Sequence, residues 1–195
     1  RVGLASTRDY GNLRLSQFED FPPGMEELHL IDSNIKIIRS NAFYHVPSVS
    51  RLDLSGNKIS RIEVDAFREI GKSLLYLKMS HALHTHQLPN VPFQTLTSLR
   101  VLDLSDNHIR TVPLDTFHKM NQLEKLHLQD NEIKSFKTGT FHSQANPRLQ
   151  VLDLSFNHIE EIQYDMFRFE GLEVLHLDDN RIRKMEARSF VEMRN

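Results

Sequence analysis

Eleven histidines are the first candidates for chemistry in this 195-residue chain. Their only dense cluster is His81-x-x-His84-x-His86. Imidazoles can hold a metal, and a protease-type zinc site places His-Glu-x-x-His on one helix face, with the glutamate as base. This cluster has no such glutamate and no cysteine to join it, and prolines interrupt the stretch that follows it. Phosphate-cradling Gly-x-Gly-x-x-Gly and P-loop motifs are absent, as is the Gly-x-Ser-x-Gly nucleophile turn, and the chain has seven glycines. Nucleophilic catalysis needs a nucleophile, a base and an orienting group brought to one place. Here Ser and Asp recur evenly along the chain. The sequence therefore points to no catalytic residues, no metal and no cofactor, and away from an enzyme.

That even recurrence comes from the elements that carry these residues. Leu149-Gln-Val-Leu152-Asp-Leu154-Ser-Phe-Asn157-His-Ile159 repeats as Val49…Leu52-Asp-Leu54…Asn57-Lys-Ile59 and Leu99…Leu102-Asp-Leu104…Asn107-His-Ile109. It returns as Leu123…Leu126-His-Leu128…Asn131-Glu-Ile133 and Leu172…Leu175-His-Leu177…Asn180-Arg-Ile182. Units start near residues 25, 49, 74, 99, 123, 149 and 172, spaced 24, 25, 25, 24, 26 and 23 apart. Each carries a phenylalanine about eighteen residues on: Phe43, Phe67, Phe93, Phe117, Phe141, Phe167 and Phe190. A period of 20–29 residues with this LxxLxLxxNxI skeleton resembles the leucine-rich repeat.

One such unit cannot bury its own apolar residues, so units must stack. The Leu-x-Leu segment has the two-residue period of a strand, with leucines inward and alternate residues outward. Ile59, Ile109, Ile133, Ile159 and Ile182 continue the core, then Ile62, Val112, Phe136, Ile162 and Met185, and the Phe column closes the far side. An inward Asn offers donors and an acceptor to main-chain groups left inside the turn, so Asn57, Asn107, Asn131, Asn157 and Asn180 read as a structural ladder. Ser33 and Ala82 interrupt it. With Pro89 and Pro92 following, a distorted turn is expected at Ala82, as either a functional protrusion or a local register shift.

The expected fold is an α/β-class solenoid. A curved parallel β-sheet lines the concave side, and the convex side is irregular, 3₁₀ or short helical. Residues 25–195 read as seven repeats, residues 1–24 as a partial or irregular one, and the whole as a slice of a longer array. The chain is 39 % apolar and 26 % charged, with net charge −2. That balance argues against nucleic acid as the main partner. No stretch approaches the eighteen apolar residues of a membrane-spanning helix, so no direct membrane insertion is expected.

An asparagine ladder with a convex phenylalanine resembles the "typical" class of extracellular leucine-rich repeats, which includes Toll-like receptors and Slit proteins. Within it the chain is most similar to chaoptin-type adhesion proteins. The shared features are cysteine-free runs of units, LDLSxNxI strands, aromatic convex segments such as Ile162-Gln-Tyr164-Asp-Met-Phe167, and an occasional irregular unit. This resemblance implies an extracellular or cell-surface location and a role in adhesion, with a protein ligand or self-association as the mode. The alternative it leaves open is the ligand-sensing ectodomain of a Toll-like or other signalling receptor.

A partner's place is then the outward strand positions. The candidate protein-binding residues on the concave face are His29, Asp53, Tyr76, Lys78, Asp103, His127, Asp153, Phe156 and His176. Acidic residues outnumber basic ones there. The turn beyond carries the reverse, with Lys36, Lys58, Arg61, Arg110, Lys134, Arg181, Arg183 and Lys184. Either this is an acidic hollow with a basic rim that steers a partner, or it is repeat consensus with a solvated edge.

Overall fold

An extended chain has the same two-residue period as the Leu-x-Leu segments. The computed structural model describes residues 2–3, 12–13, 24–142 and 144–191, and it makes each of these segments a short strand. The inner strands form one parallel sheet of eight: β1 (Val2–Gly3), β3 (Glu27–His29), β5 (Arg51–Asp53), β7 (Tyr76–Lys78), β8 (Val101–Asp103), β9 (Lys125–His127), β11 (Val151–Asp153) and β14 (Val174–His176). Leu28, Leu52, Leu77, Leu102, Leu126, Leu152 and Leu175 stand in register across it. All but Leu175 are 2 % exposed or less.

A second ladder runs along the flank after the turn. It comprises β2 (Asn12–Leu13), β4 (Ile37–Ile38) and β6 (Arg61–Ile62), and separately β12 (Glu161–Ile162) with β15 (Lys184–Met185). The convex side is mostly turns with little helix, as expected, and its later units add short strands. One short helix is described there, α1 (Asn90–Phe93), and β10 (Phe141–His142), β13 (Phe167–Arg168) and β16 (Phe190–Val191) form a further parallel sheet. The phenylalanine column explains it. Phe141, Phe167 and Phe190 are in register, and successive rings stack at 6.0 and 5.6 Å, which brings the adjoining main chains within ladder distance. Of the expected second apolar row, Ile62, Val112, Phe136 and Ile162 are buried, whereas Met185 is exposed because no described unit stacks beyond it. Of residues 1–24, only β1, β2 and Gly24 are described, so the reading of that stretch as a partial or irregular repeat lies largely outside the described residues.

The asparagine ladder has a direction. Asn131 Nδ2 donates to Leu104 O of the preceding unit at 2.9 Å and to Leu128 O of its own at 3.1 Å, while its Oδ1 accepts from Ile109 N–H. Asn57, Asn107, Asn157 and Asn180 bond backward in the same way. At Ala82 the register shifts, one of the two expected outcomes: Leu77 pairs with Leu52, 25 residues before it, but Leu83 bridges to Ile59, 24 residues before it. His81 beside it has φ +52°, as Asp106 does. The main chain takes over instead: Ile59 N–H donates to the Ala82 carbonyl at 2.8 Å, and Ile59 bridges to Leu83. A methyl side chain leaves room for this direct pairing, so the buried N–H keeps a partner.

Gly71 marks a close main-chain approach of two units. A Cβ built there would stand 2.3 Å from the carbonyl oxygen of Thr95 in the next unit. A main-chain atom cannot rotate away, so the units must separate. Gly71→Ala is expected to cost about 2–3 kcal/mol, read as a lowered urea midpoint. A variant as stable as the parent would show that the convex segments slide freely.

Candidate binding surface

Parallel pairing at one strand per unit sets the outward side chains of the inner sheet in rows about 4.8 Å apart. Six of the nine candidate residues converge on a concave hollow of about 280 Å³: His29, Asp53, Tyr76, Lys78, Asp103 and His127. Its floor is Leu52 and Leu77. Arg51 on β5, which the candidate set omits, lays its guanidinium 3.9 Å from the Tyr76 ring centre on β7 and lies 3.7 Å from Glu27. The exposed form of such a cation–π pair contributes about 0.5–1 kcal/mol and holds the tyrosine ring over the sheet. Val101 adds an apolar wall.

Asp153, Phe156 and His176 do not line this hollow. Phe156 lies on the turn after the strand, with φ +52°, in a column with Asp32, Gly56, His81, Asp106, Asp130 and Asp179, all at positive φ. Its ring is about half exposed, but it faces no hollow shared with Tyr76. His176 is exposed and 3.6 Å from Asp178.

The acidic hollow is weaker than the residue count implies. Asp53, Asp103 and Asp153 each accept the N–H of the serine two residues on, at 2.9–3.0 Å. Ser105 and Ser155 follow inward leucines and so fall outward by strict alternation, yet they are buried, and their hydroxyls donate to the same carboxylates at 2.6 Å. These aspartates therefore tie down the turn as well as facing solvent, and the hollow is mixed in charge. The basic rim is likewise partly paired. Arg61 lies 3.7 Å from Glu63, Arg110 Nε 2.8 Å from Glu132 and Lys184 Nζ 2.9 Å from Glu186.

Of those glutamates, Glu63 and Glu186 are the ones that sequence reasoning missed. Glu63 accepts Ser40 N–H at 2.9 Å. This bond, helped by Arg61 and Arg39, holds its carboxyl below the usual value of 4.5. Arg110, then His108 with Nδ1 3.0 Å away, lowers Glu132. Lys184 and then Tyr164 N–H, at 2.9 Å, lower Glu186. Aligning the units would have exposed the column of Glu63 and Glu186, but their N–H donors, Ser40 and Tyr164, lie one unit away. A depressed folded pKa gives stability that is present above the unfolded value of 4.5 and lost as pH falls through the folded value. Urea midpoints are expected to fall below pH 4.5, and Glu132→Gln is expected to flatten that limb. An unchanged slope in the variant would remove Glu132 from this role.

The histidine cluster is dispersed. His81 lies 3.2 Å from Asp106, and His86 Nδ1 lies 3.0 Å from His108 O. Among the described residues no group of three or more His, Cys, Asp or Glu is placed to hold a metal, and no helix is long and apolar enough to cross a membrane.

Comparison with known proteins agrees with this geometry. The "Leucine rich repeat" family profile matches residues 2–59, 23–83, 47–108, 84–133 and 147–195. Chaoptin of Drosophila melanogaster is 44 % identical over 47 % of this chain and 9 % of its own length. The human leucine-rich repeats and immunoglobulin-like domains protein 1 is 41 % identical over 44 % of this chain and 8 % of its own. The chain thus matches less than a tenth of either relative. Among solved structures, TLR13 in complex with the single-stranded RNA ssRNA13 superposes with a TM-score of 0.79 at 25 % identity, covering 86 % of this chain and 23 % of that one. The Drosophila Toll–Spatzle complex gives 0.70 at 20 % identity, covering 93 % and 27 %, a likeness of fold. With strands, asparagine ladder and profile in agreement over most of its length, the chain belongs to the leucine-rich repeat family.

Proposed function

We propose that this chain is a protein-binding segment of a cell-surface or extracellular adhesion protein, and that its partner docks on the inner sheet around Tyr76. Residues 25–195 act in this reading as one array of seven units. The observation that carries it is the hollow itself. An aromatic ring held by Arg51 sits on an apolar floor, ringed by Lys78, Asp53 and Asp103. An anchored aromatic within a rim of both charges is the anatomy of an interface hot spot. Similarity to chaoptin and to the human repeat–immunoglobulin protein supports the adhesion reading. The lack of a convergent nucleophile, base and orienting group in the sequence supports a binding role over catalysis.

Self-association is one form of this reading. Sedimentation velocity across a wide concentration range, at low and high salt, tests it. Reversible, salt-sensitive association weakened about tenfold or more by Tyr76→Asp would support it. A strict monomer would move the reading to a different protein ligand.

The second reading is a ligand-sensing ectodomain. The TM-score of 0.79 to TLR13, whose structure holds an RNA, favours it. Net charge −2 weighs against a nucleic-acid ligand for this segment.

A further inference from the structure

The flank ladder is broken in the middle. Its strands pair β4 with β6 and β12 with β15, and Gln87 bridges to Thr111. The equivalent residues of the unit starting at 123, Ser135 and Phe136, pair with neither side. Glu132 N–H still reaches Ile109 O. Beyond it, no main-chain hydrogen bond joins Lys134–Lys137 to Arg110–Pro113. At this break the surface opens into a cavity of about 730 Å³. Its floor is Val112, Pro113 and Phe136, and Arg110, Lys134 and Lys137 stand around it.

The intact parts of the flank show what the break lacks. Fourteen residues after the unit start stand Glu63 and Glu186. Each carboxylate accepts an N–H from the preceding unit, Ser40 or Tyr164, at 2.9 Å, and pairs with cations, Arg39 and Arg61 or Lys184. Both carboxyls are held below their ordinary value by these donors, so the fold builds a seat that favours the ionised group. At the break the same position is Pro113, Lys137 and Gln163 in three successive units. The N–H that matches Ser40 and Tyr164 is that of Leu114, and no described carboxylate is bonded to it. Arg110 is already engaged by Glu132, while neither Lys134 nor Lys137 has an ion-pair partner among the described residues.

We infer that this groove is a second docking site, separate from the inner sheet, which takes an extended acidic segment of a protein partner. An Asp or Glu side chain of the segment occupies the seat that Glu63 and Glu186 fill elsewhere, between Lys134, Lys137 and Leu114 N–H. A neighbouring apolar side chain lies on Val112 and Phe136. Charge complementarity selects an anion. The apolar floor and the carboxylate geometry select a peptide over a sulfated glycan.

The test is an NMR titration of the intact chain, at low ionic strength, with two probes: the peptide acetyl-Glu-Val-Glu-Val-Glu-amide and a heparin hexasaccharide. The peptide is expected to shift the amides of Leu114, Phe136 and Lys137. Lys137→Glu installs an internal carboxylate in the seat. It is expected to weaken peptide binding about tenfold or more through like-charge repulsion, while the urea midpoint stays the same or rises. Lys134→Ala, which leaves the seat's backbone untouched, should weaken it less. Absence of shifts, an unchanged titration in Lys137→Glu, or tighter binding of the hexasaccharide at the same amides would overturn the inference. Tyr76→Asp should leave the peptide titration intact. Loss of binding in that variant would place the peptide on the inner sheet and overturn the groove, so failure of this site and failure of the concave reading are told apart.

Discussion

Phe141→Ala is expected to destabilise the chain by about 3–5 kcal/mol, the range for deleting a fully buried aromatic. Phe141 is 1 % exposed. Its ring meets Phe136 edge-on at 4.7 Å, stacks between Phe117 and Phe167 at 6.1 and 6.0 Å, and lies 6.3 Å from Phe169. No other ring of the column has as many described aromatic neighbours. Backbone pairing of β10 to β13 limits how far the cavity can collapse. In a solenoid, stability is a sum of unit and neighbour terms, so the loss falls on the coupling between the units before and after residue 141. Urea unfolding followed by circular dichroism should show a lower midpoint and a broader, less cooperative transition. Phe190→Ala is the control. At 38 % exposure it should cost far less. Equal costs would mean that the phenylalanine column is not a continuous core.

The second large effect is expected at Asn107. Its Oδ1 accepts two buried N–H groups, Ala82 at 3.0 Å and Leu83 at 2.7 Å, while Nδ2 donates to Met79 O, Leu104 O and Ser105 O at 2.9–3.0 Å. Asn107→Ala leaves both N–H groups without a partner, at about 1–3 kcal/mol each. The main-chain substitution seen at Ala82 satisfies one N–H, that of Ile59, and so cannot replace an asparagine that holds two. The variant would also leave two consecutive rungs missing, since position 82 already lacks one. Native-state hydrogen exchange should show Ala82 and Leu83 losing protection first. Asn131→Ala, whose Oδ1 accepts only Ile109 N–H, should cost less. The reverse order would mean that the ladder's stability lies in its carbonyl bonds.

Much of this architecture was legible in the residues because the repeat writes its rules over and over. Leu52, Leu102 and Leu152 announce a strand and its inward face by local period alone. Asn107 and Asn157 announce a buried polar group, because an amide among leucines must be satisfied. Ser105 and Ser155 were misplaced for the same reason. Strict alternation puts them outward, but the chain turns at that point and folds their hydroxyls back onto Asp103 and Asp153. Met185 was placed in the core by its column, and exposure there follows from the lack of a described unit on its far side. The convex sheet was missed because a strand of two residues has too little period to read.

By itself the sequence determined the period, the stacked core, the ladder and the family, since each follows from side-chain type at a fixed spacing within one unit. Only the tertiary structure decided which outward residues meet around Tyr76, that Phe156 stands apart from them, how Ala82 is rescued, and where the flank ladder opens between Arg110 and Lys137. Those relations join residues some 24 positions apart. They depend on the main-chain register between neighbouring units, which no single unit encodes.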